Sequence, residues 1–172
     1  MPTGRDVPGK GVQMIVSLVG PLGLSSALEY MMENKGALEE RFAPFFLKQL
    51  KAIEMADRPY GNFLVKEIRK GGLYGALWEA ASELGCGLEI DELKIPVRQE
   101  VIEILELADE SPYEVPSVGC FLVISREEVR NAAVIGRTSE EKARVINTED
   151  GVRYLTPPQR QEKDIKDRKS YC

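Results

Sequence analysis

Apolar and polar positions along this chain predict helices first and strands later. VQMIVSLV, Val12–Val19, is a short apolar run bounded by Gly11 and Gly20, which predicts a buried strand. GPLGLSS punctuates it. A first helix is therefore expected to begin near Ser25 or Ser26, either of which can act as its N-cap, and to end near Asn34–Gly36. Phe42, Phe46, Leu50 and Ile53 recur at helical spacing and predict a second helix over about Leu38–Ala56, in which Pro44 marks a first turn. Arg58–Gly61 breaks the pattern, and Phe63–Ile68 fits either a helical turn or a strand.

A third helix is predicted over about Gly72–Leu84, with Leu73, Leu77, Ala80, Ala81 and Leu84 inward and Gly85 and Gly87 as stop signals. GLEID, Gly87–Asp91, reads as a short strand. Pro96 precedes a fourth helix, Arg98–Ala108, with Val101, Ile104, Leu105 and Ala108 as its apolar stripe. Val118–Ser125 and Ala132–Arg137 read as strands, and Ala143–Asn147 and Val152–Leu155 as a hairpin around Glu149-Asp150-Gly151. This order predicts an α+β fold, with helices packed on a largely antiparallel or mixed sheet. Residues 1–10 read as a flexible lead-in, 11–156 as a single domain, and 157–172 as a charged, mobile tail.

Composition narrows the partners. A chain of 172 residues, 43% hydrophobic and 30% charged, suits one soluble globular domain. Its net charge of −5 argues against nucleic acid or an anionic membrane surface. No run approaches the roughly 20 apolar residues of a membrane span. MPTGRDVPGK lacks the apolar core of a secretory signal, so a cytoplasmic location is expected. Histidine is absent, which removes the commonest general base and zinc ligand. Cys86, Cys120 and Cys172 are too far apart to suggest a metal pair or a disulfide framework, and no metal site is assigned.

RKGGLYGALWE, Arg69–Glu79, carries the main chemical candidate. A helix N-terminus presents unpaired N–H groups to an anion, glycines allow close approach, and Arg69 and Lys70 add charge. The plainer reading is that Gly71-Gly72 only turns the chain. VGPLGLSSA is a second strand–glycine–helix junction, where Gly23 and Ser25 could meet an anion or simply begin a helix. Glu89, Asp91 and Glu92 could hold a hard cation, but such a trio is more often a solvated strand end. Cys172 is a terminal thiol that suits a carrier role or none.

From Gly71 onward several motifs occur in a familiar order. GGLYGALWEAASELGCGLEIDELKIPVRQEVIEI, then SVGCFLVIS and AAVIGR, resemble the C-terminal domain of the aminoimidazole ribonucleotide synthetase superfamily, nearest its hydrogenase-maturation-like (carbamoyl dehydratase-like) branch. The resemblance spans about residues 11–158. It implies an α+β sandwich, ATP and magnesium held in a cleft against an N-terminal domain, and a homodimer. In the family's Asp-x-Thr-Arg-Gly-Gly, this chain has Glu67, Arg69, Lys70, Gly71 and Gly72 at the non-variable places. The carboxylate is thus kept as Glu67, while Arg69 stands for threonine and Lys70 for arginine. Ser25 and Ser26 replace Glu and Gly of the first motif, and the stretch between Ser125 and Ala132 is too short for the family's helix. In the hydrogenase-maturation branch a C-terminal cysteine carries a carbamoyl group, a place Cys172 could occupy.

The resemblance leads to a stand-alone C-terminal-type domain that binds a nucleotide or other phosphate-bearing small molecule. Glu67, Arg69, Lys70, Gly71, Gly72, Gly23 and Ser25 would form the ligand site. No aspartate-rich N-terminal domain is found in the sequence, so complete ATP-dependent catalysis is not expected of it alone. A resident cofactor is left open, as is whether the chain is an enzyme. The alternative is a non-catalytic interaction or dimerisation module, or half of a split enzyme whose N-terminal-type domain is separately encoded.

Overall fold

The computed structural model describes residues 12–158. The lead-in over residues 1–10, most of the expected tail, and Cys172 lie outside the described residues.

The first strand, β1 (Ile15–Val19), enters a helical region made of α1 (Leu24–Glu33), α2 (Lys35–Arg41) and α3 (Pro44–Ala52). Next come β2 (Leu64–Ile68), α4 (Gly72–Leu84), β3 (Gly87–Asp91), a single 3-10 turn (Glu92–Lys94) and α5 (Gln99–Leu107). The chain then runs through β4 (Ser117–Ser125), β5 (Ala133–Ser139), β6 (Arg144–Thr148) and β7 (Gly151–Tyr154). The strands form one seven-stranded sheet in the order β2-β4-β1-β5-β3-β6-β7. Every pairing is antiparallel except β3 with β6. This is the α+β architecture with a largely antiparallel, mixed sheet that the order of elements predicted.

The sheet has one well-covered face. Val16, Leu18, Leu122 and Ile124 meet Leu73, Leu77, Ala80 and Ala81 of α4 in the main core. The helix therefore buries an almost continuous small-and-leucine stripe, while a Cβ on Gly75 would meet only the Lys70 carbonyl, at 3.8 Å, so close helix-to-sheet packing does not require that glycine. A second cluster joins α1, α2, α3 and α5 through Leu24, Met31, Leu38, Leu50 and Ile104. The other sheet face has only a small cluster, Val19, Phe121 and Val123, capped by Phe63, Val129 and Ala132. Farther along, Val134, Val152 and Tyr154 are exposed.

Two local expectations are corrected and one open alternative is resolved. The helix predicted over Leu38–Ala56 is two helices, with an extended Phe42-Ala43 link between them. Pro44 forces this, because its ring disfavours helical geometry at the preceding residue, and it takes the first-turn place in α3. Neither Ser25 nor Ser26 caps α1. The N-cap is Gly23 in the left-handed region, and both hydroxyls are used elsewhere. The ambiguous Phe63–Ile68 stretch is strand β2: alternate side chains serve opposite faces, and β4 supplies its hydrogen-bond partners.

Strand directions place the interesting junctions together. Both β1 and β2 run antiparallel to β4, while β1 and β3 both run antiparallel to β5. Hence β1, β2 and β3 point the same way, and GPLG, RKGG and DELKIPVR all leave from one end of the sheet. The carboxyl ends of co-directed strands are where loops of such sheets gather ligands.

Candidate functional site

At the end of β2 the chain turns through two left-handed glycines. Gly71, at φ 96°, is the N-cap of α4, and Gly72 has φ 66°. They are glycine for different reasons. A Cβ on Gly71 would meet nothing nearer than the Gly75 Cα at 3.6 Å and the Pro158 Cβ at 4.0 Å. A Cβ on Gly72 would lie 2.4 Å from the Tyr113 carbonyl oxygen and 2.6 Å from the Glu114 Cα. Residues 111–115 thus strap down the helix start at Gly72, whereas a Cβ on Gly71 would make only ordinary contacts.

The strap also uses part of the helix's donor set. The Gly72 N–H donates to the Arg69 carbonyl at 2.9 Å, and the Tyr74 N–H donates to the Tyr113 carbonyl at 3.4 Å. Fewer first-turn N–H groups remain for an anion than a bare helix end would offer. What compensates is side-chain charge. A groove of about 230 Å³ beside the helix start is lined by Lys66, Glu67, Arg69, Lys70, Gly72 and Glu79 among others. Arg69 is exposed, with its Nε 3.5 Å from Glu67 Oε1. Lys66, which sequence reasoning misses, reaches Glu83 at 2.7 Å and Glu79 at 3.7 Å. Its clue is the period of two in β2, which puts Lys66 on the α4 side with Leu64 and Ile68.

Gly23 and Ser25 do not line this groove. The Gly23 N–H donates to Ser117 Oγ at 2.7 Å. Ser25 Oγ accepts from the Val118 N–H at 2.8 Å and donates to the Pro116 carbonyl at 3.3 Å, while Ser26 Oγ donates to the same carbonyl at 2.6 Å. These groups tie α1 to the start of β4. The acidic trio also has other employment. Asp91 Oδ1 accepts from the Leu93 N–H at 3.1 Å, and Glu89 stands directly across from Arg137 in the β3–β5 register. No cluster of three potential metal ligands occurs among the described residues. Burial pushes the Cys120 thiol up to about 12, leaving a neutral, unreactive side chain against the Gly20 carbonyl.

Tyr74 and Tyr113 stack at 5.6 Å between ring centroids, which braces the strap over α4. Burial, and next the Glu92 carboxylate, push the Tyr74 phenol up to about 12. Its hydroxyl is buried and has no hydrogen-bond partner among the described residues. The native state thus holds this proton more tightly than the unfolded chain, whose tyrosines titrate near pH 10. The corresponding stability is present below about pH 10 and is lost as pH rises through about 12. Urea denaturation at about pH 9 and about pH 11 is expected to show a smaller loss of stability in Tyr74→Phe than in the parent. An equal loss in both would show that Tyr74 does not carry the effect.

Comparison with known proteins bears on this geometry. No family model matches the chain. Over 111 residues it is 32% identical to carbamoyl dehydratase HypE of Rhodobacter capsulatus, covering 56% of this chain and 32% of that protein. Over that stretch the chain is similar to HypE. The crystal structure of HypE from E. coli superposes with a TM-score of 0.63 at 20% identity, over 92% of this chain and 53% of that one. Thiamine monophosphate kinase from Aquifex aeolicus gives 0.60 at 21% identity, over 90% of this chain and 55% of that one. Other matching structures include HypE with ATP and a HypE–HypF complex. The resemblance to the aminoimidazole ribonucleotide synthetase superfamily is thereby borne out, and the domain is of the C-terminal type. The chain spans about a third of its curated relative and about half of the solved ones. No helix among the described residues is long and apolar enough to cross a membrane.

Proposed function

We propose that residues 12–158 form a C-terminal-type domain that binds a nucleotide or another phosphate-bearing small molecule at the Gly71-Gly72 start of α4. The observation carrying this reading is the left-handed Gly71 turn beside a groove holding Lys66, Arg69 and Lys70 with Glu67 and Glu79. Lys66, Arg69 and Lys70 line one groove at the Gly71-Gly72 turn, so a phosphate placed there would meet cationic side chains. Lys70 and Arg69 would contact the phosphate, with Glu67 holding the Arg69 guanidinium in place. A solved relative carries ATP, which supports the nucleotide class.

The described residues fit the phosphates better than the metal. Magnesium on a nucleotide needs only one or two carboxylates beside the phosphates, a place Glu67 would take, and no cluster of three potential metal ligands occurs among the described residues. In this reading the domain is not a complete ATP-dependent enzyme by itself, and no catalytic residue is assigned. A separately encoded N-terminal-type domain would supply the metal ligands. Cys172 lies outside the described residues, and a carrier role for its thiol remains part of this proposal.

Isothermal titration with magnesium-ATP, AMP and inorganic phosphate tests the reading. Saturable heat is expected at millimolar ligand or below, weakened about tenfold or more in Lys70→Ala, since a hydrogen bond to a charged group contributes about 1.5–3 kcal/mol. No heat from any of the three would overturn it.

A second reading rests on a different observation, the exposed Val134, Val152 and Tyr154 on the sheet face that no helix covers among the described residues. Such a surface suits a homodimer or a protein partner. A relative in complex with HypF supports the partner class. Light scattering that shows a monomer at all concentrations would remove the homodimer.

A further inference from the structure

A larger groove of about 660 Å³ opens at the same end of the sheet, on residues that the phosphate reading does not use. That volume falls in the range of small-molecule sites. Its base is the Gly20-Pro21 turn after β1. One wall is the C-terminal end of α3, with Gln49, Ile53 and Glu54. The other is the approach to α5, with Val97 and Arg98.

The two walls are oppositely charged. Glu54 stands just past the end of α3, where the carbonyls of the last turn carry the negative end of the helix dipole. Arg98 is the N-cap of α5, where the dipole is positive. Arg98 is anchored by its Nε, 3.5 Å from Glu100 Oε2, which leaves both terminal nitrogens to pair with a second carboxylate. Glu100 sits in the first turn of α5 and folds onto its own backbone N–H, which holds its carboxyl below the usual range. Glu54 and Arg98 give the groove's lining one charge of each sign, and Glu100 behind Arg98 offsets part of the guanidinium's charge. A phosphate dianion is therefore disfavoured here, and a ligand with both charges is favoured. Pro21, Ile53 and Val97 supply an apolar surface between the charged walls.

We propose that this groove binds a free apolar α-amino acid, its carboxylate on the Arg98 guanidinium, its ammonium on Glu54 and its side chain on Pro21, Ile53 and Val97. Gln49 offers an amide to either head group. This site is independent of the proposed phosphate contact, and each can fail alone.

Titration of the full chain with L-leucine tests it, alongside isovalerate and isoamylamine, which keep the apolar body and one charge each. Saturable leucine binding with a Kd of about 1 mM or tighter is expected. Arg98→Gln and Glu54→Gln, both at exposed positions, should each weaken it tenfold or more, with an unchanged circular dichroism spectrum and unchanged magnesium-ATP titration. Both single-charge analogues should bind at least tenfold more weakly than leucine. No saturation up to about 10 mM leucine would overturn the proposal, as would either variant binding like the parent. Isovalerate or isoamylamine binding as well as leucine would overturn the two-charge recognition on which it rests.

Discussion

Replacing Gly72 with alanine is expected to destabilise the domain by about 3 kcal/mol. Two terms combine. A left-handed backbone costs a non-glycine residue about 1–2 kcal/mol, and overpacking adds about 1–3 kcal/mol. The second term is specific to this position, because the new methyl would lie 2.4 Å from the Tyr113 carbonyl oxygen. The strap over residues 111–115 must then withdraw and would release the Tyr74–Tyr113 stack. Urea denaturation should show the midpoint falling with little change in slope, and thermal unfolding should drop by roughly 6–12 °C. A loss under about 1 kcal/mol would show that the strap yields freely. Gly71→Ala is the informative control. It has the left-handed φ but ordinary contacts, so only the conformational cost of about 1–2 kcal/mol applies. A Gly71→Ala protein that stays folded but binds magnesium-ATP less well would separate the ligand contact from the fold.

The other large effect lies beneath the site. Leu77 is fully buried in the main core, on the α4 stripe that meets the sheet. Leu77→Ala should cost about 3–4 kcal/mol, the transfer loss plus the cavity left behind. The candidate site is the first turn of the same helix, so a loosened α4 should also weaken phosphate binding with no contact residue changed. Denaturant midpoints, together with magnesium-ATP titration, read both effects. A loss below about 1 kcal/mol would show that the surrounding side chains close the cavity. Leu73, equally buried one turn earlier, is avoided because its replacement would disturb the site directly.

Local patterning accounts for much of the fold. The stripe of α4, the bounds of GLEID as β3 and the final hairpin follow from periods of 3.6 and 2 with glycines at the ends. Pro44 marks a first turn in the sequence, yet the pattern around it predicts one helix, because an apolar face running through Phe42 and Phe46 outweighs one proline in a window average. Those two rings stack at 4.5 Å, so the apolar face continues although the helix does not. Ser25 and Ser26 suit caps by residue type, since serine is a favoured one. Their hydroxyls instead bond to backbone groups of residues 116 and 118, 90 or more positions away, which no local rule contains.

By itself the sequence determined most of the elements, the fold class and the superfamily resemblance, since these rest on local periodicity and on motifs read in order. The tertiary structure decided which motifs meet. Strand pairing brought the ends of β1, β2 and β3 to one side, placed Lys66 beside Arg69 and Lys70, and kept Gly23 and Ser25 out of their groove. It also distinguished two adjacent glycines that the sequence treats alike: Gly72 is held by a strap about 40 residues away, whereas a Cβ on Gly71 would make only ordinary contacts with Gly75 and Pro158. The physical reason is that backbone preference is local, whereas the space around a residue is set by chain segments far off in sequence.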